Sequence, residues 1–258
     1  MAKTGNIATF AMALIIAGNL IGSGLLALPI CLGMAGFIPS VVSLVVVYFM
    51  MMITALIIAG KINKSADINY DIPSIFSQYL GKKLKWLAII ANLIVLYGLL
   101  IAYLAGAASI IRGTFELNFS LSSMIIVYFV LVTCIMLYGM KMISRCNGIL
   151  MLILLVAFIY LTAGTAPHIK LVNYYYSKWI FLVVALPVVV NSFNFHNVVP
   201  VVCRTLNFDK KQVKRAILTG ITIGLIVNTV WTLVAIGQGF CMRLFLNFHN
   251  HILTLYIV

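Results

Sequence analysis

GNLIGSG, residues Gly18 to Gly24, lies inside an apolar run that is long enough to cross a membrane. Three glycines in seven residues weaken an α-helix, because glycine loses more conformational freedom on ordering than any other residue. Gly18 and Gly22 form a GxxxG pair, which lets two transmembrane helices approach closely. Alternatively, the helix breaks at this stretch and turns its backbone towards a ligand. The stretch alone is compatible with both interpretations.

The composition identifies the broad class of protein. The chain has 258 residues, of which 64% are hydrophobic and 8% are charged, and its mean hydropathy is +1.17. Soluble domains are about half apolar and about a quarter charged. Helices are the expected spanning elements, because unpaired amides in hydrocarbon cost several kcal/mol each and barrel strands would alternate in polarity. The composition therefore predicts an all-α polytopic membrane protein.

Seven apolar segments approach or exceed the length of about 20 residues that a transmembrane helix needs. The predicted spans are residues 7–31, 37–60, 86–111, 121–140, 149–165, 179–202 and 216–237. Thirteen of the 17 Lys and Arg residues lie in one set of alternate loops and four in the other. The positive-inside rule then places the N-terminus in the cytoplasm. Because the net charge of +13 lies in short loops, it indicates membrane topology and not a nucleic-acid-binding face.

Three segments outside these spans have a character of their own. Residues 65–80 predict a short amphipathic helix along the cytoplasmic membrane interface. The stretch 207–215 predicts a helix start that is capped by Asn207 or Asp209. Residues 238–258 scatter polar side chains among apolar ones and form an atypical tail without a clear eighth span.

Few groups could carry chemistry inside the membrane. The four acidic residues all lie in loops, so no carboxylate cluster is available to hold Mg²⁺ for an enzyme. Span seven contains no lysine for a retinal-type Schiff base. The five cysteines form no CxxC pair, and the sequence predicts no metal site and no cofactor. His196 is the one ionisable group at membrane depth, which indicates a functional site, although a neutral imidazole bonded to a backbone carbonyl remains an alternative.

His196 stands in a second stretch that disfavours a continuous helix. The stretch NSFNFHNVVP, Asn191 to Pro200, is rich in Asn and Ser, and a further proline precedes it. It follows the glycine stretch by five spans, a spacing typical of an inverted repeat of five helices with a midplane site between two broken helices. The pair of stretches therefore favours breaking over packing for GNLIGSG. Tyr97 and Tyr103 in span three either face such a site or make ordinary helix contacts.

Three stretches together resemble a known family. They are AGNLIGSGLLALP (Ala17 to Pro29), PHIKLVN (Pro167 to Asn173) and ALPVVVNSFNFHNVVPVV (Ala185 to Val202). They resemble the signatures of the bacterial aromatic and hydroxy amino acid permeases, which include tyrosine-specific and tryptophan-specific transporters. The resemblance covers residues from about 5 to 237. It implies a leucine-transporter-like inverted-repeat fold of the amino acid-polyamine-organocation superfamily type, with the first repeat and the start of the second present here.

The resemblance also implies a function. It implies proton-coupled import of an aromatic amino acid, tyrosine before tryptophan, across the bacterial inner membrane. Amides near Gly22–Gly24 would hold the substrate carboxylate, and freed carbonyls around Ala17–Asn19 and Asn191–Phe193 would take the ammonium group. Aromatic side chains would stack on the substrate ring, and His196 would carry the proton. The implied substrate-binding residues are Gly18, Asn19, Gly22, Ser23, Gly24, Tyr103, Ser192, Phe193, Phe195 and His196.

The chain departs from the family pattern in two respects. Asn194 and Asn197 stand where the family usually has glycine, which adds side chains near the expected pocket. The fold of eleven spans would also need spans eight to eleven, so the chain is expected to be truncated at its C-terminus, with a transporter encoded in two pieces or a frameshift after Gly237 as explanations. The alternative is an inactive remnant or an accessory membrane subunit without transport activity.

Overall fold

The described chain is built from α-helices joined by short turns and two short 3₁₀ segments in the loop before the sixth span. The structure is a computed structural model, and it describes residues 2–25, 27–116, 118–137 and 140–239. The α-helices are α1 (Ala2–Gly24), α2 (Ala27–Ala35), α3 (Phe37–Ser65), α4 (Ile72–Thr114), α5 (Leu121–Leu137), α6 (Met140–Thr165), α7 (Ile180–Ser192), α8 (Val199–Thr205) and α9 (Lys210–Gly237).

These helices fall into two compact units. The core unit comprises residues up to Ile72 together with those from Phe158 onwards, and the middle unit comprises Pro73–Ala157. Both predicted interruptions lie in the core unit.

The prediction of a polytopic membrane protein is confirmed. Six described segments are long and apolar enough to cross a membrane: Asn6–Gly24, Phe37–Ser65, Ile72–Thr114, Ile149–His168, Ile180–Thr205 and Lys210–Gly237. The predicted fourth span, residues 121–140, contains α5 (Leu121–Leu137). Two residues of that prediction, 138 and 139, lie outside the described residues.

Close packing between α1 and α9 dominates the core unit. A Cβ on Gly220 would lie 2.7 Å from the Ala13 carbonyl oxygen, and one on Gly224 would lie 2.6 Å from the Leu20 Cδ1. Glycine at these two positions therefore lets the helices approach to backbone contact, which is the use that membrane proteins make of a GxxxG pair. The glycine pair that packs thus belongs to α9, where the sequence also has GxxxG spacing, at Gly220 and Gly224.

By contrast, Gly22 of the GxxxG pair in α1 makes no close helix contact in the described part of the chain. Gly22 is exposed, and no described heavy atom lies within 4 Å of the position that a Cβ would take on it. The same stretch nevertheless reaches α9 through Gly24, which is buried. Within the same helical turn, Gly24 therefore packs against α9, whereas Gly22 is exposed.

The stretch PHIKLVN, Pro167 to Asn173, lies in the loop after α6, and this loop binds the end of α9. The Asn173 amide donates to the Gly237 carbonyl at 2.7 Å, and the Tyr174 hydroxyl donates to the Leu233 carbonyl at 3.0 Å. These donors satisfy carbonyl groups in the last turn of α9, which have no partner inside the helix. Burial raises the pKa of the Tyr174 phenol above its ordinary value, so the hydroxyl stays protonated and able to donate.

The same loop also packs against the turn between α2 and α3. Gly36 has φ of 90° there, and a Cβ on it would overlap the Tyr176 carbonyl. Only glycine fits such a contact at a positive φ without strain. The loop from 166 to 178 therefore joins the outer ends of α2 and α9.

The predicted helix in residues 65–80 is present in a modified form. A helix begins at Ile72 and continues past residue 80 into the third span, with one break in its backbone at Gly81, where φ is 75° and ψ is 173°. The helix cap in the stretch 207–215 is Asp209, whose carboxylate accepts the Lys211 and Gln212 amides. Of the predicted tail 238–258, residues from 240 onwards lie outside the described residues.

Candidate substrate site at two interrupted helices

The first span is interrupted just after the glycine stretch. Helix α1 continues through Gly24, the Leu25 amide still donates to the Ile21 carbonyl at 3.0 Å, and α2 begins at Ala27. The Gly22–Gly24 amides, which the resemblance implies for the substrate carboxylate, therefore do not lie at the start of a half-helix. Those amides belong to the last turn of α1, where they donate inside the helix. The second half of this span is α2, which begins at Ala27, three residues after Gly24.

The sixth span is interrupted where the sequence predicted it. Helix α7 ends at Ser192, a 3₁₀ turn covers His196–Val198, and α8 begins at Val199. The backbone between the two helices is held locally, since the Phe193 amide donates to the Val190 carbonyl at 3.2 Å. The missing helical hydrogen bonds leave carbonyl groups at the end of α7 available to other donors.

The two interruptions meet at Ser23. Its hydroxyl oxygen lies 3.1 Å from the Ser192 carbonyl oxygen, and it also lies 3.0 Å from the Asn19 carbonyl oxygen of its own helix. A hydroxyl has one hydrogen to donate, so Ser23 can release the Ser192 carbonyl by turning to its own helix. Ser23, Gly24 and Ser192 are the predicted site residues that the structure brings together.

Side chains of α9 donate hydrogen bonds to backbone carbonyls around the first interruption. The Asn228 amide donates to the Leu20 carbonyl at 3.3 Å, and the Trp231 indole N–H donates to the Leu25 carbonyl. Asn228 is fully buried, and its Oδ1 has no hydrogen-bond partner. A Cβ on Gly24 would lie 2.7 Å from that Oδ1.

Neither Asn228 nor Trp231 was predicted as a site residue. A signal was present, since Asn228 follows Gly220 and Gly224 at a spacing of four residues. This spacing places all three on one face of α9. A polar side chain in line with two glycines on an apolar span indicates a close, specific helix contact.

His196 is half-buried and has a polar partner on the second span. Its Nε2 lies 2.8 Å from the Thr54 hydroxyl oxygen, which also lies 2.9 Å from the Met50 carbonyl oxygen. When the Thr54 hydroxyl donates to Met50, it accepts from Nε2–H, and the Nδ1 of the imidazole carries the free lone pair. The Phe195 ring stacks on the imidazole at a centroid distance of 5.4 Å. The imidazole partner is thus a hydroxyl and not the backbone carbonyl of the alternative interpretation.

The remaining predicted residues have different environments. Phe193 and Phe195 are fully buried, so their rings are already packed in the core unit. Gly18 is half-buried and Asn19 is exposed on α1. Tyr103 lies in the middle unit with 45% of its surface exposed. No group of three His, Cys, Asp or Glu residues in the described part of the chain could hold a metal ion.

Apolar helices of membrane-spanning length, two of them interrupted, define a multi-pass α-helical membrane protein. Residues 6–245 match the profile of the tryptophan/tyrosine permease family, and the chain belongs to this family. This finding confirms the resemblance that the three sequence stretches indicated. The family is one of transporters and not of enzymes.

The curated relatives are considerably longer than this chain. Tyrosine-specific transport system 1 of Haemophilus influenzae is 26% identical, with 89% of this chain and 58% of that protein aligned. Tyrosine-specific transport system 2 of the same organism is 28% identical, with the same shares aligned. The tryptophan-specific transport protein of Shigella flexneri is 28% identical, with 87% of this chain and 56% of that protein aligned. No solved structure matches the chain significantly.

Proposed function

We propose that this chain forms the substrate-binding part of a secondary active transporter that imports an aromatic amino acid. Tyrosine is the first candidate substrate and tryptophan the second, because relatives with both names match the chain. The observation that carries the proposal is the contact between the two interruptions, where the Ser23 hydroxyl lies against the Ser192 carbonyl. Interrupted helices at a common depth supply backbone groups that a zwitterion can bind.

Each end of the zwitterion has a complementary group at the interruptions. The Ser192 carbonyl would accept a hydrogen bond from the substrate ammonium group when the Ser23 hydroxyl turns back to its own helix. The first amides of α2, at Ala27 and Leu28, are donors at the positive end of a helix dipole and would take the carboxylate. This assignment replaces the amides of Gly22–Gly24, which α1 uses internally.

We propose proton symport as the coupling, with His196 as the proton carrier. The core unit offers this imidazole with a free Nδ1 when Thr54 donates to Met50, and the sequence has no acidic residue in a predicted span. A proton on His196 would favour one arrangement of the sixth-span interruption, since the ring lies at its centre. The location that follows is the bacterial inner membrane, which maintains a proton gradient.

Uptake of labelled tyrosine by cells that express this chain tests the proposal. Saturable uptake is expected, with competition by unlabelled tryptophan and loss on collapse of the proton gradient by an uncoupler. A Ser23→Ala variant is expected to retain expression in the membrane and to change the Michaelis constant for tyrosine. Absence of both saturable uptake and saturable tyrosine binding would instead favour an inactive remnant or an accessory membrane subunit.

A further inference from the structure

The turn between α8 and α9 concentrates positive charge at one end of the core unit. Residues 204–215 contain five cations and one carboxylate. The cations are Arg204, Lys210, Lys211, Lys214 and Arg215. Thr205 is the last residue of one apolar span and Lys210 is the first residue of the next, so these side chains lie at the depth of the lipid headgroups. The positive-inside rule places them on the cytoplasmic side.

The backbone of this turn brings the end of α8 close to the start of α9. The Phe208 amide donates to the Cys203 carbonyl at 2.8 Å, and the Asn207 amide donates to the Arg204 carbonyl at 3.0 Å. The chain therefore turns back within a few residues. The cation on α8 is held near the cations on α9 by the backbone itself.

The four cations on α9 are exposed and repel one another. Lys210 and Lys214 lie one helical turn apart, and so do Lys211 and Arg215. Like charges at this spacing destabilise a helix, because the side chains are neighbours on its surface. An anion bound between them would remove this cost.

Arg204 adds a buried donor without an acceptor. Its side chain is half-buried, and its Nε has no hydrogen-bond partner among the described residues. The Asp209 carboxylate does not supply one, because it accepts the Lys211 and Gln212 amides and the Gln212 side chain. Buried polar groups are normally hydrogen-bonded, so an unpaired donor indicates a partner outside the described residues. The charge of the neighbouring side chains indicates that this partner is an anion.

Apolar side chains adjoin the cations on the membrane side. Val201, three residues before Arg204, is 49% exposed, and Leu218, four residues after Lys214, is half-buried. These separations place each apolar side chain on the same helix face as its cation. A ligand with a phosphate head and an acyl tail therefore meets complementary groups along its length, whereas a free phosphate would use the cations alone.

From this arrangement we propose that the turn between α8 and α9 binds the headgroup of an anionic phospholipid of the cytoplasmic leaflet. The Arg204 guanidinium donates to the phosphate oxygens, since its planar donors match their geometry. The exposed lysines of α9 add electrostatic attraction, and basic pockets on the cytoplasmic side of membrane helices suit such headgroups. None of these cations is among the predicted substrate-binding residues, so the site does not rest on the proposed transport function.

Native mass spectrometry of the full chain in detergent, titrated with dioleoyl phosphatidylglycerol, tests this site. Saturable binding is expected, and dioleoyl phosphatidylcholine, with the same acyl chains but no net charge, is expected to bind more weakly. Arg204→Ala is expected to weaken phosphatidylglycerol binding about tenfold, because it removes charge-assisted hydrogen bonds. Arg112→Ala removes the same charge from an exposed side chain of the middle unit. It is the matched control and is expected to leave binding unchanged.

A second variant keeps the test decisive if Arg204→Ala does not fold. Lys210→Ala combined with Lys214→Ala changes two exposed side chains. The combination is expected to weaken phosphatidylglycerol binding by about fivefold or more, the contribution of roughly one cation near an anionic membrane surface.

Four results would overturn the proposal. Absence of saturable phosphatidylglycerol binding to the wild type would exclude the site, and equal binding of phosphatidylcholine would show that the acyl chains alone are recognised. Unchanged binding in either variant that folds would place the lipid elsewhere. Displacement by glycerol 3-phosphate or polyglutamate as effective as by phosphatidylglycerol would show that the cations take any anion. Tyrosine takes no part in these measurements, so loss of tyrosine uptake would contradict the proposed function alone.

Discussion

The two interruptions of the core unit are stabilised in different ways. The first span breaks between Gly24 and Ala27, and side chains from α9 donate to the carbonyls of Leu20 and Leu25 on either side of the end of α1. The sixth span opens over a longer stretch that holds itself by local backbone hydrogen bonds at Phe193 and Asn194. The first break thus depends on hydrogen bonds from a helix that is distant in the sequence. The second break is stabilised by hydrogen bonds between neighbouring residues of the same span. Changes in α9 should accordingly affect the first interruption most.

The largest effect is expected from Gly24→Ala. The new Cβ would lie 2.7 Å from the Asn228 Oδ1 and 2.8 Å from the Leu28 Cδ1, and overpacking of this kind costs about 1–3 kcal/mol. We expect a lower unfolding temperature and loss of tyrosine binding, measured on the purified chain. Gly22→Ala is the matched control, because no described heavy atom lies within 4 Å of its Cβ position. Equal effects of the two substitutions would show that α9 does not support the first interruption.

A smaller effect is expected from Trp231→Phe. The substitution keeps an aromatic ring but removes the donor to the Leu25 carbonyl, which costs about 1 kcal/mol for a typical hydrogen bond. The measurement is thermal unfolding in nanodiscs. Trp179→Phe serves as the control at a side chain that is 53% exposed, where a change within about 0.5 kcal/mol is expected. If Trp179→Phe destabilised the chain as much, the loss could not be assigned to the Leu25 contact.

The sixth-span interruption is tested through the partner of its histidine. Thr54→Val removes the hydroxyl that lies 2.8 Å from the His196 Nε2, while Thr54→Ser preserves it. Loss of one hydrogen bond of about 0.5–1.5 kcal/mol corresponds to a reduction of about two- to tenfold in proton-coupled tyrosine uptake. The measurement is initial uptake across a series of external pH values. Identical pH profiles for Val, Ser and wild type would exclude Thr54 from proton coupling.

The smallest effect is expected at the start of α9. The Gln212 amide, followed by the other donors of the first turn, holds the pKa of the Asp209 carboxyl below its ordinary value. A depressed folded-state pKa stabilises the fold above the pKa of the unfolded chain, and this stabilisation is lost as the pH falls through the folded-state value. Thermal unfolding should therefore show a small acid-dependent loss in the wild type. Asp209→Asn can still cap the helix, but its unfolding temperature should not fall with acid in this way. If the acid dependence of unfolding were the same in the variant, the Asp209 carboxyl would not be its cause.

The sequence predicts much of this architecture because its signals are local. Apolar run lengths predict the spans, and the Asn-rich stretch before Pro200 predicts the sixth-span interruption within a few residues. The sequence narrows the cap of α9 to two candidates, of which Asp209 is correct because its carboxylate reaches two amides while Asn207 has a positive φ. Each of these signals depends on residues close to each other in the chain.

The end of α1 could not be predicted for the opposite reason. Glycines weaken a helix wherever they occur, but the position of a break depends on which carbonyls find other donors. Here the donors are Asn228 and Trp231, more than 200 residues along the chain from their acceptors. The GxxxG spacing occurs both at Gly18 and Gly22 and at Gly220 and Gly224. Only the folded structure shows that Gly220 and Gly224 make the close helix contact.

The pairing of Trp231 with Leu25 also has a consequence for the order of events during synthesis. The two residues are 206 positions apart, and at about 5–20 residues per second the ribosome needs about 10–40 s to travel from one to the other. During that interval the first span resides in the bilayer without its later partner. Its broken end must meanwhile be hydrated, straightened into a continuous helix or shielded by the insertion machinery, so the interruption is completed only when the seventh span arrives.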